Sequence, residues 1–144
     1  MTTPDIETIG FVASSDRGVV AAGSAESVAA GLDILARGGN AADAAVATLF
    51  VLVVTDHGPC SIGGEVPLMI YDAATGETRA LSGQGRAPLC PDAIAWYMAN
   101  GIPGEGDIRM EAVPSVVDLC LTTLARYGTR TLAEVTTAAI ALLD

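Results

Sequence analysis

The sequence contains no lysine; its seven basic residues are all arginine, set against 17 acidic ones, for a net charge of −10. A basic face able to neutralise a phosphate backbone is therefore absent, and nucleic acid is not expected as a partner. Aromatic residues make up only 4% against 51% apolar residues, so the core has to come from Ala, Val, Leu and Ile. Such side chains permit close packing but bury little surface each, at about 25 cal/mol per Å². A chain of 144 residues fits one domain, and this composition leaves it short of burial of its own. Cysteines are few, odd in number and widely spaced at Cys60, Cys90 and Cys120. That excludes a disulfide framework and a Cys-x-x-Cys centre, leaving a buried or half-buried thiol as the expectation for each. The single histidine, His57, cannot complete a metal cluster, so neither metal nor cofactor is expected. The opening stretch MTTPDIETIG has neither a basic nor an apolar segment of the kind a secretory signal needs. The longest apolar run, Ala44 to Val54, is too short to span a bilayer. A cytoplasmic protein without membrane association is the expectation.

What is present is a succession of well-punctuated elements. Residues 1–16 read as a flexible lead-in, and residues 17–144 as the folded segment. Arg17 to Gly23 has the pattern of a short strand. Ser24 caps a helix to about Arg37, with Val28, Leu32 and Leu35 spaced as its buried face. Gly38 and Gly39 end it. Asn40 caps the next helix with Asp43 as reciprocal partner, and this helix is apolar nearly all round. Val66 to Tyr71 and Glu77 to Leu81 form a hairpin about Ala73–Gly76, followed by a loop over 82–88. Pro91 to Asn100 is a short helix, most simply packed through Trp96, Tyr97 and Met98. Pro114 opens a helix to about Tyr127. Thr131 and Glu134 form a capping box for a last helix that runs into Asp144 without a stop signal, suggesting a cut chain or a subunit continued elsewhere. Helices beside a hairpin give an α+β or layered reading.

Few residues carry chemistry on their own terms. His57 follows Asp56, but no serine nucleophile motif accompanies the pair, and a structural histidine is the favoured reading. Gly63-Gly64 could cradle an anion through its N–H groups, although such a pair more often serves a tight turn. Thr2 would lead the chain on removal of Met1, yet no motif surrounds it. No catalytic residue is assigned.

Four ordered blocks point further. They are the run from Ala22-Gly23-Ser24 through Gly38-Gly39-Asn40-Ala41-Ala42-Asp43 to Ala47, then Ser61-Ile62-Gly63-Gly64-Glu65 followed by Leu68 to Asp72, then Gly83-Gln84-Gly85-Arg86-Ala87-Pro88, and finally Ala112-Val113-Pro114 with Arg126-Tyr127-Gly128 and Leu132-Ala133-Glu134. Together they resemble the leading part of the large chain of γ-glutamyltranspeptidase-like proteins, a branch of the N-terminal-nucleophile hydrolases. The resemblance implies part of an αββα sandwich, incomplete on its own. It implies an amide-bond hydrolase or acyltransferase whose nucleophile is the N-terminal threonine of a complementary chain, with that threonine's own amine as base. Nothing in these 144 residues matches the threonine block, so the chain is expected to be inactive without that partner. In γ-glutamyl transferases of the family the third block reads Asp-Gly-Arg-Glu-x-Ala-Pro, and its arginine holds the substrate α-carboxylate. Here Gln84 stands at that position and Arg86 two places later, a variant that looks more like the amidohydrolase and acylase members. Gln84 and Arg86 are the candidate substrate-binding residues, for a small amide or γ-glutamyl-like substrate. The bland alternative is that Arg86 pairs with an acid to brace the loop. At the level of the whole chain, the alternatives are a non-catalytic binding or regulatory subunit of the same descent, and a degenerate frame with no stable fold.

Overall fold

The computed structural model describes residues 12–144 except His57, Pro59 and Ala112. Its first helix, α1 (Ala25–Ala36), begins where Ser24 accepts from the N–H of Ser27 and the Ser27 hydroxyl returns the contact to the backbone of Ser24. The fully buried residues are Ser27, Ala30, Gly31 and Ile34; of the expected face, Val28 and Leu35 are half-buried, Leu35 against the main core, and Leu32 points outward. Leu32 is 43% exposed. Small residues win because α1 lies very close to α2 (Ala41–Thr55): a Cβ on Gly31 would stand 2.4 Å from Thr48 Oγ1. Close approach of backbones outweighs the size of the larger side chains here.

Helix α2 is the centre of the molecule. Asn40 caps it in the expected reciprocal box with Asp43, and it packs against α1, α4 (Val116–Tyr127) and α5 (Leu132–Ala141). Val46 and Ala47 join Ile34, Val116, Cys120 and Val135 in the main core, while Val51 meets Ala30 and Ala139 in a second cluster. The helix is not sealed on all sides: Ala45 is exposed.

Strands β1 (Val66–Asp72) and β2 (Glu77–Gly83) form an antiparallel hairpin with Val66 opposite Gly83 and Asp72 opposite Glu77. The turn uses Gly76 at φ 71°, a conformation glycine adopts without steric cost. β2 extends two residues past the expected end, taking Ser82 and Gly83 out of the loop. Gly83 is buried where β2 crosses α4, and a Cβ there would sit 2.7 Å from both Leu119 Cδ2 and Val66 O. Among the described residues the sheet has only these two strands. The stretch Arg17–Gly23, expected as a strand, forms no ladder. A strand is stable only against a partner, and this segment has none among the described residues.

Helix α3 (Pro91–Asn100) ends at Gly101 as expected, but it buries none of its residues. The expected helix packing of Trp96 and Tyr97 is local to this arm, and both are half-buried there. The guanidinium of Arg109 lies 4.1 Å over the Trp96 ring, the Tyr97 hydroxyl donates to the Arg109 carbonyl, and Asp107 grips Arg109 through both carboxylate oxygens. Met98 is 84% exposed. The arm from α3 through the 3-10 turn Ile108–Met110 is braced from within. Helix α4 starts at Val116 with Ser115 at the cap, so Pro114 precedes the helix rather than opening it. Helix α5 ends at Ala141, short of Asp144. The architecture is α+β, with helices on one face of a hairpin. No helix among the described residues is long and apolar enough to cross a membrane.

Candidate functional site

The hairpin brings two of the sequence blocks together. Because Val66 pairs with Gly83, the segment entering β1 and the segment leaving β2 emerge side by side. The entering segment turns at Ser61–Gly64, where the Gly64 N–H donates to the Ser61 carbonyl at 3.0 Å. The Gln84 side-chain amide then donates to Glu65 Oε2 at 3.3 Å. Gln84 is thus engaged in joining the Gly-Gly-Glu turn to the loop after β2. Arg86, two residues on, is exposed on that loop. Among the described residues it forms no ion pair. No acid among the described residues braces Arg86. Gln84 and Arg86 thus differ in their contacts: Gln84 is bonded to Glu65, while Arg86 meets no acid among the described residues.

The first and fourth blocks meet at a second centre. Asp43 is completely buried, and its carboxylate accepts from the N–H of Asn40 at 2.9 Å, the N–H and hydroxyl of Thr129 at 2.9 and 2.7 Å, and the N–H of Arg130 at 3.0 Å. Asn40 adds a 2.6 Å bond from its side-chain amide to the Tyr127 carbonyl. Arg130 reaches back to the carbonyl of Arg37. Burial pushes the Asp43 carboxyl up, but the donors from Asn40, Thr129 and Arg130 outweigh it and leave it below its ordinary 3.8. With its lone pairs occupied, this carboxylate serves as a clamp between α2 and the α4–α5 connection, not as a proton-transfer group. The sequence showed the local capping box; the contacts with residues 86 and 87 positions downstream carry no local signal. Gly128 is required beside it, since a Cβ there would meet Asp43 Oδ1 at 2.7 Å.

The thiols divide by environment. Cys120 is buried and its pKa is pushed up to about 12 by desolvation, so it is an inert core residue. Cys60 is half-buried, while Cys90, against expectation, is exposed at the start of α3. His57 lies outside the described residues. Two depressions flank β1. One of about 740 Å³ runs between residues 17–21, α2 and Pro67–Leu68. The other, of about 340 Å³, lies between Asn40–Ala42, Ile70–Ala73 and Arg126–Tyr127. Neither includes Gln84 or Arg86.

Comparison with known proteins agrees with the four blocks. Residues 27–144 match the family described as Gamma-glutamyltranspeptidase. The chain is 34% identical over 119 residues to the glutathione hydrolase proenzyme of Bacillus subtilis (strain 168), covering 79% of this chain and 20% of that one. It is 34% identical over 144 residues to the acylase ACY 1 proenzyme of Pseudomonas sp. (strain SE83), covering 92% of this chain and 25% of the relative. Among solved structures, it is similar to Helicobacter pylori gamma-glutamyltranspeptidase with a TM-score of 0.74 at 27% identity, covering 92% of this chain and 39% of that one. The chain thus spans about a fifth to a quarter of the length of these curated relatives. By the family match and by the fold alike, the chain belongs to the gamma-glutamyltranspeptidase family.

Proposed function

We propose that this chain forms the leading segment of an amide-bond hydrolase or acyltransferase of the γ-glutamyltranspeptidase type. In this reading it is a layer of an αββα sandwich completed by a chain that brings the N-terminal threonine nucleophile. The relatives support the reaction class, since one is named a glutathione hydrolase proenzyme and another an acylase proenzyme. The observation that carries the site is the exposed Arg86 beside the Gln84–Glu65 tie. Glu65 fixes the start of the loop, and Pro88 restricts its exit. The guanidinium then meets an anionic group of a small amide substrate through charge-assisted hydrogen bonds. Because Gln84 is tied to Glu65, its part is to position the loop; Arg86 is the anchor.

The test is kinetic, in the assembled enzyme. Arg86→Ala should lower kcat/KM about ten- to a hundredfold, the scale of one charge-assisted contact. Arg86→Lys should recover little, because an ammonium lacks the planar fork. An unchanged kcat/KM in Arg86→Ala would place the substrate anchor on another chain.

A further inference from the structure

Residues 84–115 form an excursion whose two ends rest on the same helix. It leaves from Gly83, packed on Leu119 of α4, and returns into α4 at the buried Val116. Between those points lie the Arg86 loop, α3 and the connector to the 3-10 turn. Helix α3 buries no residue, and no helix or strand among the described residues packs extensively against it. Its orientation has to be fixed from within the excursion.

The contacts that can fix it meet at Arg109. The guanidinium lies over the Trp96 ring, a cation–π contact. Its Nε donates to Asp107 Oδ1 at 2.9 Å and its Nη2 to Oδ2, a two-point grip that needs arginine's planar fork. The Arg109 carbonyl accepts from the hydroxyl of Tyr97, whose ring stands edge to face with Trp96 at 5.2 Å. Among the described residues, no other side-chain hydrogen bond, ion pair or ring contact joins α3 to residues 101–115. The connector adds no stiffness of its own, since it carries Gly101, Gly104 and Gly106, two of them at φ 74° and 89°. An exposed ion pair alone holds little; here it is joined to a stack and a hydroxyl bond at one residue.

The path from α3 back to Arg86 is short and stiff. Residues 87–90 are all that separate Arg86 from Pro91, the first residue of α3. Pro88 and Pro91 have a fixed φ. Ala87 and Cys90, each preceding a proline, are held to extended backbone, and Cys90 has φ −66° and ψ 123°. A tilt of α3 is therefore passed on to Arg86 rather than absorbed. The other end of the loop is tied by Gln84 to Glu65, so α3 is its second support.

We propose that Arg109 is a positioning residue for Arg86: by clasping Trp96, Tyr97 and Asp107 it fixes α3, and through residues 87–91 it sets where the Arg86 guanidinium meets the anionic group of the substrate. This deepens the proposed function and rests on it.

Kinetics of the assembled enzyme test this, with γ-glutamyl or glutaryl 4-nitroanilide as the carboxylate substrate and the matching carboxamide as its neutral counterpart. Arg109→Met keeps most of the stem and removes the charge and the fork. It should raise KM for the carboxylate substrate about five- to tenfold, with kcat within about twofold. Turnover of the carboxamide should stay within about twofold, and in an Arg86→Ala background Arg109→Met should add nothing. Arg109→Lys, a cation without the fork, should fall between, and Trp96→Leu should repeat the Arg109→Met pattern. Trp96 is the only tryptophan of the chain, so acrylamide quenching of the 144-residue protein reads the stack directly and should rise in Arg109→Met. An equal loss on both substrates would show a merely structural role and overturn the proposal. So would a further loss in the Arg86→Ala background, or quenching that does not change. A loss in Arg86→Ala with none in Arg109→Met sinks this inference alone. An Arg86→Ala enzyme that loses nothing, or an enzyme that turns over neither carboxylate substrate, sinks the proposed function and this inference with it.

Discussion

Asp43 and Thr129 are joined twice, the carboxylate accepting from both the N–H and the hydroxyl of Thr129, at 2.9 and 2.7 Å across 86 residues of sequence. This contact ties the cap of the central helix to the connection between α4 and α5, and so links the first and last of the family's sequence blocks. Asp43→Ala should cost about 3 kcal/mol or more, because it leaves several buried donors without an acceptor. Denaturant melts of the two proteins measure it. A loss below about 0.5 kcal/mol, the ordinary scale of surface substitutions, would show that the clamp is replaceable by water.

The same carboxylate sets a pH dependence. Its folded pKa is depressed below 3.8, so the stability it contributes is present above that value and is lost as pH falls through and below it. Melts from neutral to acid pH should therefore show a decline that is shallower in Asp43→Asn. Identical acid profiles for the two proteins would contradict the assignment.

The contact of α1 with α2 makes a paired prediction. Gly31→Ala forces a Cβ to within 2.4 Å of Thr48 Oγ1 and should destabilise by about 1–3 kcal/mol. Thr48 Oγ1 is buried with no hydrogen-bond partner among the described residues. Thr48→Val keeps the shape and removes an unsatisfied hydroxyl, so it should be neutral or stabilising by about 1 kcal/mol. A marked loss of stability in Thr48→Val would reveal a bound water or another partner for the hydroxyl.

A fourth prediction concerns association. The α3 arm and the outer face of β1 expose Met69 at 75%, Leu89 at 89%, Ile102 at 80% and Ile108 at 82%. Large exposed apolar side chains favour association where they fall together. The isolated chain should self-associate as its concentration rises, read by sedimentation velocity. A monodisperse monomer with a sharp cooperative melt would count against an incomplete layer.

Much of this was legible in the sequence where the determinants are local. Ser24, Asn40 and Thr131 announce their helices because a cap is decided within three or four residues. Gly76 and Gly101 mark turns for the same reason. The reading failed where the answer depends on distant chain. The buried face of α1 follows the closeness of α2, so Gly31 and Ala30 displace the larger Leu32. Arg17–Gly23 has a strand's pattern but forms no ladder with any of the described residues. Trp96 reads as a packing residue, but no local signal shows that its partner is the Arg109 guanidinium in an exposed arm. At the candidate site, Arg86 and Gln84 were visible as residue types, but only the hairpin register shows that Glu65 occupies Gln84 and leaves Arg86 open.

The most direct test of the proposed function is turnover of a chromogenic amide by the purified 144-residue chain, measured alone and together with a chain that carries the family's N-terminal threonine. The account predicts no turnover above buffer from the chain alone and turnover on addition of the partner, lost when that threonine is changed to alanine. Robust turnover by the chain alone, abolished by Thr2→Ala, would contradict it.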